Sequence, residues 1–100
     1  MAELLSDDQV ADALGRLEGW SRDGDALVRR IELADFPQAI AVVDRVAEIA
    51  EDHSHHPDID IRWRTLTFRC STHSDGGITS LDVTLAERID EVLKALPAND

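Results

Sequence analysis

The amino-acid sequence predicts an α+β domain of two layers, a four-stranded antiparallel sheet with helices on one face, in the order α-β-β-α-β-β-α. Three observations lead there. Apolar residues recur at helical spacing in three separate segments. Between them, two segments alternate apolar and polar residues around turn-length breaks. Breaks that short join antiparallel strands, and hairpins and helices of this size bury their apolar sides by stacking as two layers. One hundred residues is the size of one domain, spanning 1–100.

The first helix is expected over "SDDQVADALGRLEGW". Ser6 can cap it, Asp7 and Asp8 suit its positive end, and Gly19 can stop it. Val10, Leu14 and Leu17 mark its buried side. "WSRDGDALVRRIEL" reads as a hairpin with Asp23-Gly24 as the turn dipeptide. "DFPQAIAVVDRVAEIAEDH" is the clearest helix, with Asp35 as cap and Pro37 in its first turn. Phe36, Ile40, Val43, Val46, Ala47 and Ala50 form its apolar stripe, and Val42 and Ile49 widen it enough to suggest a second packing partner. Pro57 disfavours helical geometry at His56, so this helix should end near His55. In "IDIRWRTLTFRCSTH" the alternation changes phase once. A hairpin centred on Arg64-Thr65 accounts for the change, pairing Trp63 with Leu66, Ile61 with Phe68 and Ile59 with Cys70 on one apolar face. Extended outward, that register sets His56 opposite His73 on the open face. The last helix runs from about Ser80 to Leu96, with Leu85, Ile89, Val92, Leu93 and Leu96 buried. Thr79 and Asp82 fit a capping box at its start.

Composition removes several function classes. The net charge of -11 repels phosphate backbones and anionic membrane surfaces. The longest apolar run, "AIAVV", is far short of a membrane span, and "MAELLSDDQV" lacks the basic start of a secretion signal. A cytoplasmic location is expected. Cys70, the single cysteine, has no partner for an internal disulfide.

The chemistry concentrates in histidine. Three of the four fall in "EDHSHHP", at His53, His55 and His56, and the fourth is His73. A metal site is one reading, with Glu51, Asp52, Asp58 and His73 nearby. His-x-His-His across a helix end is a poor match to zinc spacings, and no thiolate set accompanies it. Nucleophilic catalysis has less support, because Ser54 and Ser71 lie in no Gly-x-Ser-x-Gly elbow. General acid–base catalysis asks only for imidazoles converging on a pocket. Glu51 stands four residues before His55, where a carboxylate can orient the ring. The plainest reading is a set of surface histidines at a helix C-terminus, where positive charge is favoured; it suits His53, which has no evident partner.

Glu51, His55, His56, Pro57, Trp63, Thr72, His73 and Asp82 match without a gap the pattern of the pterin-4a-carbinolamine dehydratase family, which this chain therefore resembles. The resemblance implies an enzyme that dehydrates 4a-hydroxytetrahydropterin to quinonoid dihydropterin with no metal or organic cofactor. It implies a homodimer or homotetramer with a small-molecule pterin substrate. It places the catalytic histidines at His55, His56 and His73, and the substrate against Pro57, Trp63, Thr72, Ser74 and Asp75. Glu51 and Asp82 become orienting carboxylates, Asp82 with the helix cap as its alternative role. Many members carry an aromatic residue where this chain has Ile59. The alternative within the same resemblance is a non-catalytic dimerisation, assembly or coactivator-type interaction module, whose sensitive positions would be Val42 or Ile49.

Overall fold

The computed structural model describes residues 3–96. Its elements are α1 (Asp7–Leu14), β1 (Trp20–Asp23), β2 (Ala26–Glu32), α2 (Phe36–His53), β3 (Asp58–Arg62), β4 (Thr65–Cys70), a 3-10 turn (His73–Asp75) and α3 (Ser80–Lys94). The predicted order is the observed one. The four strands form one antiparallel sheet in the order β1-β2-β4-β3, so β1 and β3 are its edges. The helices cover one face.

β4 shows how the sequence builds the layers. Leu66, Phe68 and Cys70 are fully buried while Thr65, Thr67 and Arg69 between them are half-exposed. Leu27 of β2 lies beside Cys70, and Ile59 and Ile61 of β3 lie beside Phe68 and Leu66. Onto this apolar face pack Val10 from α1, Val42 and Val46 from α2, and Leu85, Ala86 and Ile89 from α3.

The β3–β4 register departs from the sequence expectation by two residues. Ile61 pairs with Leu66 and Ile59 with Phe68, and the loop is Trp63-Arg64. A slip of two leaves every side chain on its face, so alternation alone cannot detect it. Trp63 takes a left-handed φ of 54° in the turn and is 70% exposed. Arg64 anchors that turn from behind. Its Nη1 donates to the Leu33 and Ala34 carbonyls, and Leu33 N donates to the Arg64 carbonyl. The tie to the β2–α2 connection is a long-range contact and leaves no mark in local pattern.

Three helix details also differ. α1 ends at Leu14 with Gly15 as its cap, and Leu17 is buried from the loop beyond it. The buried stripe of α2 is Ala39, Val42, Val46 and Ala50, while Phe36 and Ala47 are exposed. Val42, expected on a flank open to a partner, is 1% exposed within the chain's own core. α3 ends at Lys94, and its deepest residues are Asp82, Leu85, Ala86 and Ile89; Val92, Leu93 and Leu96 are half-buried. The caps at Ser6, Asp35 and Thr79 are as expected, and Ser6 and Thr79 each complete a capping box, with Gln9 and Asp82.

Candidate active site

The end of α2 delivers the first half of the site. Ser54 adopts a left-handed conformation (φ 50°, ψ 37°). Ser54 N then donates to the Glu51 carbonyl and His55 N to the Ala50 carbonyl. This pair of bonds is a Schellman motif, which satisfies the last carbonyls and turns the chain off the helix axis. The stop therefore lies at Ser54, ahead of Pro57. The two histidines that follow leave the axis in different directions.

His55 turns inward toward α3. Its Nε2 lies 2.6 Å from Asp82 Oδ1, and its side chain is 12% exposed against a fully buried carboxylate. His56 remains outside, and its Nε2 meets Glu51 at the end of α2. The carboxylate partners are thus reassigned relative to the sequence expectation, because the left-handed turn at Ser54 breaks the i, i+4 geometry that would have joined Glu51 to His55. Asp82, in contrast, meets both a helix cap and a histidine. It closes the capping box of α3 with Oδ2 and holds His55 with Oδ1.

The second half of the site is the loop after β4. Thr72 and Gly77 bridge, with Thr72 N donating to the Gly77 carbonyl at 2.8 Å, and the 3-10 turn at His73–Asp75 bulges out between them. Gly76 closes that turn at φ 76°, a conformation open to glycine. His73 and Ser74 are exposed on this turn, Asp75 is half-buried, and Thr72 is buried beneath it at 5% exposure. The shifted register does not set His56 opposite His73; continued outward it sets His56 opposite Ser71. Among the described residues no hydrogen bond joins His73 to the other histidines. His53 is exposed at the last position of α2.

Trp63 is not brought to the histidines. Pro57 precedes β3 and Trp63 follows it, so the strand separates them by roughly 20 Å at the usual rise per residue. A cavity of about 700 Å³ also lies elsewhere, between the end of α1, β2 and the far half of α3, lined by Arg29, Ile31, Asp90 and Lys94 among others. Among the described residues no cluster of three or more His, Cys, Asp or Glu side chains could hold a metal ion.

Cys70, at the end of β4, is fully buried. Burial first, then the negative charges of Asp82 and Asp58, push its thiol up to about 12. It is therefore a neutral core thiol and no nucleophile.

The arrangement consists of two adjacent imidazoles, each meeting a carboxylate, with a third exposed on the 3-10 turn that follows β4. A model of the family described as pterin 4 alpha carbinolamine dehydratase matches residues 3–92. The chain belongs to the pterin-4a-carbinolamine dehydratase family. Its relatives within that family include a provisionally named pterin-4-alpha-carbinolamine dehydratase of Nocardia farcinica, 59% identical over 92% of this chain and 97% of that one. A protein of the same provisional name from Mycobacteroides abscessus is 58% identical over 87% and 93%. The fold also matches a crystal structure described as a transcriptional coactivator/pterin dehydratase from Brucella melitensis. The TM-score is 0.86 at 28% identity, covering 88% of this chain and 96% of the other. A pterin dehydratase-like protein identified as a RuBisCO assembly factor of the alpha-carboxysome shares the fold alone, with a TM-score of 0.60 at 19% identity.

One contact behind the histidines has no local signature in the sequence. Thr79 was legible as a helix cap, but its hydroxyl also meets that of Thr72 at 2.7 Å behind the histidine site. The capping-box motif locates the residue; only the fold supplies the neighbour.

Proposed function

We propose that this member of the pterin-4a-carbinolamine dehydratase family removes water from a 4a-hydroxytetrahydropterin, and that His55, His56 and His73 supply the acid–base chemistry. The observation that carries the reading is the pair of consecutive imidazoles, each on its own carboxylate, in a chain of this family. In the reaction the C4a–O bond breaks, the N5 proton is lost, a C4a=N5 double bond forms, and the hydroxyl leaves as water. The step is neither oxidation nor reduction. It calls for one group that protonates the departing oxygen and one that accepts the N5 proton. Neutral imidazole offers one donor and one acceptor nitrogen, so neighbouring histidines can serve both needs near neutral pH.

Pro57, next to His56 in the chain, and Ser74 and Asp75, next to His73, would contact the pterin. Trp63 of the same chain is too far along β3 to do so. A homodimer or homotetramer, as the family resemblance implies, is part of the same proposal.

Purified protein should accelerate dehydration of synthetic 4a-hydroxytetrahydropterin, followed by the absorbance of the quinonoid product. His55→Ala or His73→Ala should each cut the rate at least ~10²-fold, the lower end for a positioned acid–base group. Wild-type protein without activity would overturn the proposal.

A further inference from the structure

Behind His55 and the Asp82 that holds it, a hydrogen-bonded chain continues into two buried hydroxyls to which the acid–base proposal gives no task. Thr72, Thr79 and Asp82 are 5%, 0% and 0% exposed. Buried groups of this kind have to satisfy one another, since water is out of reach. Asp82 Oδ2 accepts from the Thr72 hydroxyl at 2.8 Å and from the Thr79 amide at 2.9 Å. A hydroxyl has one proton, and that of Thr72 is now used. Across the 2.7 Å contact between the two hydroxyls, Thr79 must therefore donate and Thr72 accept. Thr79 Oγ1 accepts in turn from Leu81 N at 3.2 Å. The direction of every bond in the chain follows by elimination.

The chain has one consequence for the histidine. Oδ2 with two donors has no room for a proton of its own, and a proton shared across Oδ1 belongs on the ring nitrogen, since imidazole is the stronger base of the two. The group facing Oδ1 at 2.6 Å is then a donor, His55 Nε2–H. A neutral imidazole protonated at Nε2 carries its lone pair on Nδ1.

We propose that Thr72 is a positioning residue for His55: by donating to Asp82 it fixes the ring in the Nε2–H tautomer and makes Nδ1 the proton acceptor. The hydroxyl is buried and fully used, so it serves the histidine and is not a contact for substrate. This deepens the dehydratase reading and rests on it, assigning the acceptor role to His55 and leaving the donor role to the remaining histidines. A valine at position 72 keeps the shape of threonine but removes the donor. Oδ2 then keeps only the Thr79 amide, and the Thr79 hydroxyl loses its acceptor and can turn to Asp82 in a different geometry.

The test uses the full chain labelled with ¹⁵N-histidine, with ring nitrogen shifts read at a pH where the rings are neutral. In the wild type, His55 Nε2 should fall in the protonated range and Nδ1 in the lone-pair range. Thr72→Val should introduce the Nδ1–H form, and Thr72→Ser should restore the wild-type pattern. In turnover, Thr72→Val should lower kcat at least ~10-fold with KM within about twofold, a part of the ~10²–10⁴-fold that a positioned acid–base group supplies. Thr72→Ser should recover most of that loss. His55 protonated at Nδ1 in the wild type would overturn the proposal. So would a folded Thr72→Val, or Thr72→Ala should valine not fold, whose tautomer matches the wild type. The ring shifts need no substrate, so the expected tautomer in a protein without dehydratase activity would defeat only the dehydratase reading.

Discussion

Cys70 illustrates how one side chain can report on the layer that holds it. It lies among Leu27, Phe68 and the α3 residues, and its thiol is pushed up to about 12 from an ordinary value of 9.0, by burial first and then by Asp82 and Asp58. In the unfolded chain it ionises near pH 9; in the folded chain it stays neutral until about 12. A raised folded value means the folded state holds the proton longer. The contribution is complete below pH 9 and is lost as pH climbs toward 12. The chain has no tyrosine and its single lysine is Lys94, so few other groups titrate in that window. Urea unfolding at pH 8 and pH 10.5 should show the stability advantage of wild type over Cys70→Ala shrinking by roughly 2 kcal/mol. A gap that stays constant would contradict the burial of the thiol.

Among the elements, α2 and α3 matter most, because their ends meet at His55. α2 presents the ring by stopping at Ser54, and α3 receives it at Asp82, the third residue of its first turn. The stop is strained. A non-glycine residue in the left-handed region pays a steric cost that glycine avoids. Ser54→Gly should therefore raise stability by about 0.5–1 kcal/mol despite the added freedom of the unfolded chain. Thermal denaturation checks this, with a raised midpoint expected and a lowered one counting against the Schellman geometry. The start of α3 uses one carboxylate for two tasks. Asp82 caps the helix through the Thr79 amide and anchors the histidine, so the helix terminus and the site share a single residue.

At the scale of the whole molecule, the far end of α3 is tied to the sheet by a second polar cluster. Trp20 of β1 donates its indole N–H to Asp90 Oδ1 at 2.7 Å, and Arg29 Nη1 of β2 approaches the same oxygen at 3.3 Å. Arg29 also donates to the Glu18 carbonyl. Its guanidinium lies against Gly19, where an added Cβ would come within 2.8 Å of Nη1. Asp90 and Arg29 are 12% and 20% exposed, so removing one partner strands the others away from water. Asp90→Ala should cost roughly 2–4 kcal/mol. Equilibrium unfolding followed by tryptophan emission would measure it, since Trp20 is 7% exposed and the other tryptophan, Trp63, already faces solvent. A change under ~0.5 kcal/mol would show that the cluster holds nothing together.

The element order, the caps at Ser6, Asp35 and Thr79, and the core face of β4 were legible in the sequence because each depends on near neighbours. A cap is a side chain three residues from its amide, and a strand face is a period of two. The candidate histidines were legible for a related reason: their types and spacing carry the family pattern. The β3–β4 register was not, since a two-residue slip keeps every face unchanged and only Arg64 reaching to Leu33 and Ala34 marks the turn. The histidines' partners were not legible either. A local rule joined Glu51 to His55, but the left-handed backbone at Ser54 gave Glu51 to His56 and sent His55 to a carboxylate 27 residues away. Sequence determined which candidate acid–base groups the chain carries, because side-chain chemistry is local. Tertiary structure alone decided that His55 meets Asp82, and through it the Thr72 hydroxyl, because those contacts form only when the end of α2, the loop after β4 and the start of α3 pack together.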